Sequence, residues 1–183
     1  MSKILPPFFT ALFLVAGCAS DDYEPWVTRG VNAGIPEVRD SFTLERTACF
    51  GFCPVYKVIV DDRDILEFQG KRFVKEEGGA VGKRLPAGSY DKLRAIAAAH
   101  EFDDFDAAYP NDDASNCPQR ATDAPTVIVG FEKKEKTRSV RVYEGCIGFE
   151  GRDRFDAMVA AMDAILDIDD LVGPREDFYG AKE

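Results

Sequence analysis

The pattern that most constrains this chain is Cys49-Phe50-Gly51-Phe52-Cys53-Pro54, set between two stretches of alternating apolar residues. Before it, Phe42 and Leu44 share a face; after it, Tyr56, Val58 and Val60 share a face, the period of half-buried strands. Gly51 permits the tight reversal that brings two close-spaced cysteine Cα atoms within bridging distance. Cys117 precedes a second pair of alternating stretches and Cys146 closes it. In the simplest register, with Phe131 opposite Arg138, Cys146 falls opposite Asp123, and the loop holding Cys117 needs only a short return to reach it. Four cysteines allow three pairings. We favour Cys49–Cys53 with Cys117–Cys146, and the other two pairings and free thiols stay open.

The remaining alternation fills in a sheet. Leu66 and Phe68 follow the turn Asp61-Asp62-Arg63-Asp64, which predicts a hairpin. A short extended piece is expected around Phe73-Val74 or from Val81 to Leu85. Val127, Val129 and Phe131 alternate, Lys133 to Thr137 supplies a polar turn, and Val140 and Val142 resume the pattern. Two helices are equally legible. Ser89 is the expected N-cap of a segment with Leu93, Ile96, Ala97 and His100 at helical spacing, and Phe155, Met158, Val159, Met162, Ile165 and Leu166 form a longer stripe. Hairpins each followed by a helix predict an α+β fold: a mainly antiparallel sheet of two hairpins with two helices packed on one face. The folded body is expected over residues 42–168, with Gly173, Pro174 and Gly180 marking 169–183 as a C-terminal tail. With 45% hydrophobic residues in 183, a core is affordable and disulfides would reinforce it.

The N-terminus reads as an address. Lys3 is followed by an apolar run, Ile4 to Gly17, which contains Pro6 and Pro7 and is well short of the ~20 residues of a membrane-spanning helix. Residues 1–17 therefore read as a signal peptide. The run ends Val15-Ala16-Gly17-Cys18, which resembles the bacterial lipobox, where small residues precede a cysteine that becomes the lipidated N-terminus. The resemblance implies an anchor at Cys18, the membrane as a partner through its lipid, and, with Ala19 rather than aspartate next, an outer-membrane lipoprotein facing the periplasm. Residues 18–41 follow as a tether, with Pro25, Gly30, Gly34 and Pro36 and no sustained period. An exported body with an even number of further cysteines fits a compartment where disulfides persist.

Several activities lose their support. A net charge of −10 and a pI near 4.7 argue against nucleic acid as a partner, since phosphate neutralisation needs clustered Lys and Arg. Gly78-Gly79-Ala80-Val81-Gly82-Lys83-Arg84 lacks both the first glycine and the hydroxyl of a phosphate loop and reads as a surface turn. The carboxylates from Glu101 to Asp113 lack calcium-loop spacing and read as a solvated face. One histidine, His100, on a helical stripe gives no Ser-His-Asp set and is expected to pack or to cap the helix C-terminus. Asp123, two before Pro125, is expected to accept backbone N–H groups in a turn. No catalytic residue, metal ligand or cofactor is assigned.

The segment Leu44-Glu45-Arg46-Thr47-Ala48-Cys49-Phe50-Gly51-Phe52-Cys53-Pro54-Val55-Tyr56 resembles the opening motif of the DUF6438 family, a domain of unknown function in exported and often lipidated bacterial proteins. Arg46, Gly51, Pro54 and Tyr56 carry the motif, and Phe73-Val74, the stretch from Phe102 to Tyr109, Thr122-Asp123-Ala124-Pro125 and the closing helix are similar too. The resemblance covers residues 43–166 and implies a fold but no activity. It departs at the first hairpin, where Asp61-Asp62-Arg63 stands in place of the usual Asp-Gly. Cys-x-x-x-Cys-Pro is also found in membrane-anchored copper chaperones, so a second class, an envelope thiol-redox or copper protein using Cys49 and Cys53, stands beside the first. Against it, Pro54 leads into a strand rather than into a helix whose N-terminus would lower a thiol pKa. The first class is a lipoprotein whose disulfide-stapled domain binds an envelope protein or cell-wall component, or has a structural role.

Overall fold

The structure, a computed structural model, describes Trp26–Val27, residues 39–134 and residues 136–178. The expected signal peptide 1–17, Cys18 and most of the expected tether lie outside the described residues. In chain order the elements are β1 (Trp26–Val27), β2 (Ser41–Arg46), β3 (Val55–Asp61), β4 (Ile65–Arg72), β5 (Ala80–Arg84), α1 (Ser89–Ala99), a 3-10 turn at Phe102–Asp104, β6 (Ala108–Tyr109), β7 (Gln119–Arg120), β8 (Thr126–Lys133), β9 (Lys136–Tyr143), β10 (Cys146–Ile147), α2 (Arg152–Leu166), α3 (Asp169–Val172) and a 3-10 turn at Arg175–Phe178.

The α+β class and the antiparallel character hold, but the sheet is larger than two hairpins. One sheet runs in the order β1-β5-β4-β3-β2-β8-β9-β6, and β7 pairs β10 in a second, two-stranded one. β2 is paired on both sides, Phe42 lying opposite Val60 of β3 and opposite Phe131 of β8, so it joins the two expected hairpins into one layer. The strand expected around Phe73-Val74 or Val81 to Leu85 is β5, while Phe73 itself turns with φ 54°. β6 adds to β9 in parallel.

Period-two alternation sorts the two faces. Phe42, Leu44, Val58, Val60, Leu66, Phe68, Val129, Val140 and Val142 are fully buried on one face, whereas Glu45, Lys57, Glu67, Ser139 and Arg141 on the other reach solvent to differing degrees. α2 contributes the stripe Phe155, Met158, Val159, Met162 and Leu166 to the core, and α1 contributes Tyr90, Leu93 and Ala97. Residues after 168 do not all trail away. Ile168 and Leu171 are buried, and Leu171 and Val172 accept hydrogen bonds from the backbone N–H of Glu76 and Lys75. The helix is four residues long, too short to show a period. The loop it clasps lies against β4 so closely that a Cβ on Gly70 would stand 1.9 Å from the Glu76 carbonyl oxygen.

The N-cap of α1 is Gly88, not Ser89. Ser89 is buried in the first turn and its hydroxyl donates to the Pro86 carbonyl. The capping acceptor comes from the β3–β4 turn: the Asp64 carboxylate accepts from Gly88 N–H at 2.8 Å and Tyr90 N–H at 2.7 Å. Asp64 also occupies the left-handed region, φ 64°, which Asp tolerates better than most residues. The Asp61 carboxylate accepts from the N–H of Arg63 and Ile65. A turn without Asp-Gly is thereby closed by two aspartates.

Candidate functional site

Strand polarity gathers both disulfides at one end of the sheet. β2 and β9 finish there and β3 and β8 begin there. Cys49 and Cys53 are bridged, Cα atoms 5.7 Å apart, and Cys117 and Cys146 are bridged, Cα atoms 5.4 Å apart. Both are the favoured pairings. The β8–β9 register places Phe131 opposite Arg138, as expected, but Cys146 lies opposite Arg120 rather than Asp123. Past Tyr143 the chain turns through Glu144 and Gly145, the Gly145 carbonyl accepts from Ala121 N–H, and the shifted ladder β7–β10 carries Cys146 to Cys117.

The Cys49–Cys53 ring is short and tied down. Gly51, φ 142°, supplies a backbone conformation that L residues rarely adopt. Phe50 N–H donates to the Asp123 carbonyl at 3.1 Å. Asp123 thus binds the ring through its main chain, while its carboxylate accepts the Thr122 hydroxyl. Phe52 packs edge-on against Phe73 at 5.2 Å between ring centroids. Pro54 follows as the last residue before β3. The side chain of Phe50, by contrast, is 87% exposed, the most exposed large apolar side chain among the described residues, and Ile147 on β10 is 48% exposed.

Beneath the ring, on the helix-facing side, lies a charged cluster. Arg46 and Tyr56 are direct cross-strand partners. Arg46 Nε donates to Tyr56 Oη at 2.9 Å, its Nη2 donates to Asp163 Oδ2 of α2 at 2.7 Å, and Nη1 stands 3.8 Å from Glu144. Arg152 adds a bond to Asp156 and contacts to the carbonyls of Glu144 and Cys146. An open cavity of about 270 Å³ runs between Arg46, Glu144, Arg152, Asp156 and Asp163. Burial raises the Asp163 carboxyl above its ordinary range, and the Arg46 guanidinium offsets only part of that shift. Burial also raises the Tyr56 phenol, against the pull of Arg46. Arg46 and Tyr56 were legible as motif residues; their partners Asp163 and Glu144 were not. The one sequence signal for Asp163 is a carboxylate four residues after Val159, at the edge of the apolar stripe.

This arrangement clamps α2 and the β9–β10 turn to the sheet and supplies a pairing for each charge. The sulfurs carry no nucleophile in the bridged form. His100 caps α1: its backbone N–H donates to the carbonyls of Ile96 and Ala97, and its ring Nδ1 lies 2.9 Å from the Ile96 oxygen. Among the described residues no group of three or more His, Cys, Asp or Glu side chains is placed to hold a metal, and no helix is long and apolar enough to cross a membrane.

Compared with curated proteins, the chain finds no match. A family model described as a domain of unknown function, DUF6438, matches residues 40–166, a span that begins just before β2 and ends with the last residue of α2. With the Arg46-to-Tyr56 motif, both bridges and every strand of the sheet except β1 inside that match, the chain belongs to the DUF6438 family.

Proposed function

We propose that the protein is a lipid-anchored component of the bacterial cell envelope, held through Cys18 in the outer membrane and facing the periplasm, whose disulfide-stapled domain is a binding or structural module rather than an enzyme. The observation that supports this reading is that all four cysteines of the domain are engaged in bridges, which form and persist in oxidising compartments. That leaves Cys18 as the remaining cysteine of the five, in the lipobox-like setting. Phe50 is the contact we assign to a partner. It is an aromatic side chain held out by a closed ring, so little conformational freedom is lost when it is buried. The partner class is another envelope protein or a cell-wall component.

The test is palmitate labelling and fractionation of cells producing the full chain, with thiol trapping before lysis. The expected result is labelled protein in the membrane fraction, no reactive thiol, and loss of label in Cys18→Ser. Label retained in that variant would overturn the anchor. Cys49 and Cys53 trapped as thiols, or cycling under mild reduction, would replace the binding module with the thiol or copper reading.

A further inference from the structure

The direction of β1 determines which end of the domain lies nearest the anchor. Trp26 stands opposite Lys83 and Val27 opposite Gly82, and Arg84, the next residue of β5, stands opposite Ile65 at the start of β4. The chain therefore enters β1 from the end of the sheet that holds the β3–β4 turn and the β8–β9 tip, opposite to the disulfides. Eight residue steps separate Cys18 from Trp26, a reach of at most about 29 Å. In the order β1-β5-β4-β3-β2-β8 the tip lies five strand spacings from β1, roughly 24 Å at about 4.8 Å each. Leash and sheet width are thus commensurate, and the tip can meet the surface from which the leash starts.

That tip carries free positive charge. Lys133, Lys134 and Lys136 form no ion pair among the described residues. Of the acids at the same end, Asp61 pairs with Arg63, Asp62 pairs with Arg39 and Asp64 caps α1, while the Asp40 carboxylate accepts the Lys134 main-chain N–H and Asp103 lines the lysine groove 3.9 Å from Arg138. By sequence, positions 132–138 hold Lys133, Lys134, Lys136 and Arg138 against two glutamates, a net positive stretch in a chain of net charge −10, and Arg138 is the one base of the four that meets a carboxylate, Asp103, among the described residues. The lysines open onto a groove of about 1130 Å³ walled on its apolar side by Phe131.

We infer that the β8–β9 tip rests on the anionic phosphate headgroups of the membrane that holds Cys18, seating the domain with its disulfide end and Phe50 turned away from the bilayer. Short attachment at the same end keeps the lysines at high effective concentration over the headgroups, where each contributes a modest attraction. This inference rests on the lipid-anchor reading of Cys18 and goes beyond it in assigning orientation and a contact surface.

The experiment uses residues 18–183 with Cys18→Ser, which retain every described residue, and vesicles of phosphatidylcholine with or without phosphatidylglycerol at low ionic strength. Flotation with the anionic vesicles only is expected, falling as salt is added. Lys133→Gln, Lys134→Gln and Lys136→Gln together should lower the partition coefficient on the order of a hundredfold, about fivefold per lysine, with unchanged thermal melting. Phe50→Ser should float like the parent. No flotation, flotation indifferent to the lysines, or flotation lost in Phe50→Ser overturns the inference, as does equal displacement by dextran sulfate of matched charge, which would assign the tip to a soluble polyanion. Palmitate labelling of Cys18 in cells is a separate readout, so failure of the lysine contact and failure of the anchor are distinguishable.

Discussion

Asp64 joins the first hairpin to the first helix, and replacing it tests how the α1 N-terminus is stabilised. Three bonds depend on this residue's place: its carboxylate takes the N–H of Gly88 and of Tyr90, and its main-chain carbonyl takes the N–H of Leu85. α1 has no side-chain cap of its own. Removing a capping oxygen costs about 0.5–2 kcal/mol, and an alanine in the left-handed region adds about 1 kcal/mol. Asp64→Ala should therefore lose about 2–3 kcal/mol, out of a total stability of about 5–15 kcal/mol. Asp64→Gly also loses the caps but relieves the backbone, for a net loss of about 1 kcal/mol. Asp64→Asn keeps the backbone tolerance and one acceptor but not the charge that favours a helix N-terminus, and should lose about 1 kcal/mol. Urea unfolding measures the order. With a slope of about 2 kcal/mol/M, alanine should shift the midpoint by roughly 1 M and the other two by about half that. Equal midpoints for alanine and glycine would show that the left-handed conformation costs nothing at this position. An alanine variant as stable as the parent would refute the remote cap.

The two bridges should contribute unequally. On the chain-entropy relation, a loop closed over 29 positions stabilises by about 3–4 kcal/mol and one over four positions by about 2 kcal/mol, so replacing Cys117 and Cys146 by Ala should lower the urea midpoint more than replacing Cys49 and Cys53. Phe50→Ser should leave the unfolding free energy within about 0.5 kcal/mol of the parent, as expected for a side chain outside the core, while weakening capture of the proposed envelope partner. Asp163 binds protons more readily folded than unfolded, so its own contribution to stability falls as pH rises from its ordinary value of 3.8 through its raised folded value. Relative to Asp163→Asn, the parent should lose stability across that window as pH rises, and a difference independent of pH would contradict the raised value. Met162→Asp should abolish cooperative unfolding at neutral pH, because a buried unpaired charge costs several kcal/mol.

What was legible in the sequence was local. The α2 stripe was read residue for residue because a 3.6 period needs no partner to be visible, and the β8–β9 register followed from a tight polar turn between two alternating runs. The pairing of β2 with β8 links residues some eighty positions apart, Leu44 with Val129, and leaves no local mark except that Phe42 and Leu44 are large and apolar. The same holds for the cap of α1, whose acceptor lies 26 positions before Tyr90, and for Arg46, whose carboxylate partner lies 117 positions away. β5 was visible only as one of two alternatives, since Gly82 and Lys83 interrupt its apolar content. Cys146 would face Asp123 only if the β8–β9 ladder ran on past Tyr143, where instead the chain turns and a new ladder begins.

The family motif is best understood as a folding device. Arg46 and Tyr56 face each other across two strands, so the nine residues between them must reverse the chain within a fixed width. The bridge closes that reversal, Gly51 supplies its left-handed residue, and Pro54 sits just before β3. The Arg46 guanidinium then ties the reversal to α2 through Asp163. Each of these residues has a structural reason to be what it is, so the motif's specificity does not require a reaction. Phe50 is different. It lies within the motif, packs against nothing that its 87% exposure would permit to matter for stability, and could be a polar residue without cost to the fold. An aromatic side chain held out by a closed ring loses little conformational freedom when it is buried against a partner, and that places the search for a binding partner on the ring tip rather than in the charged cavity beneath it.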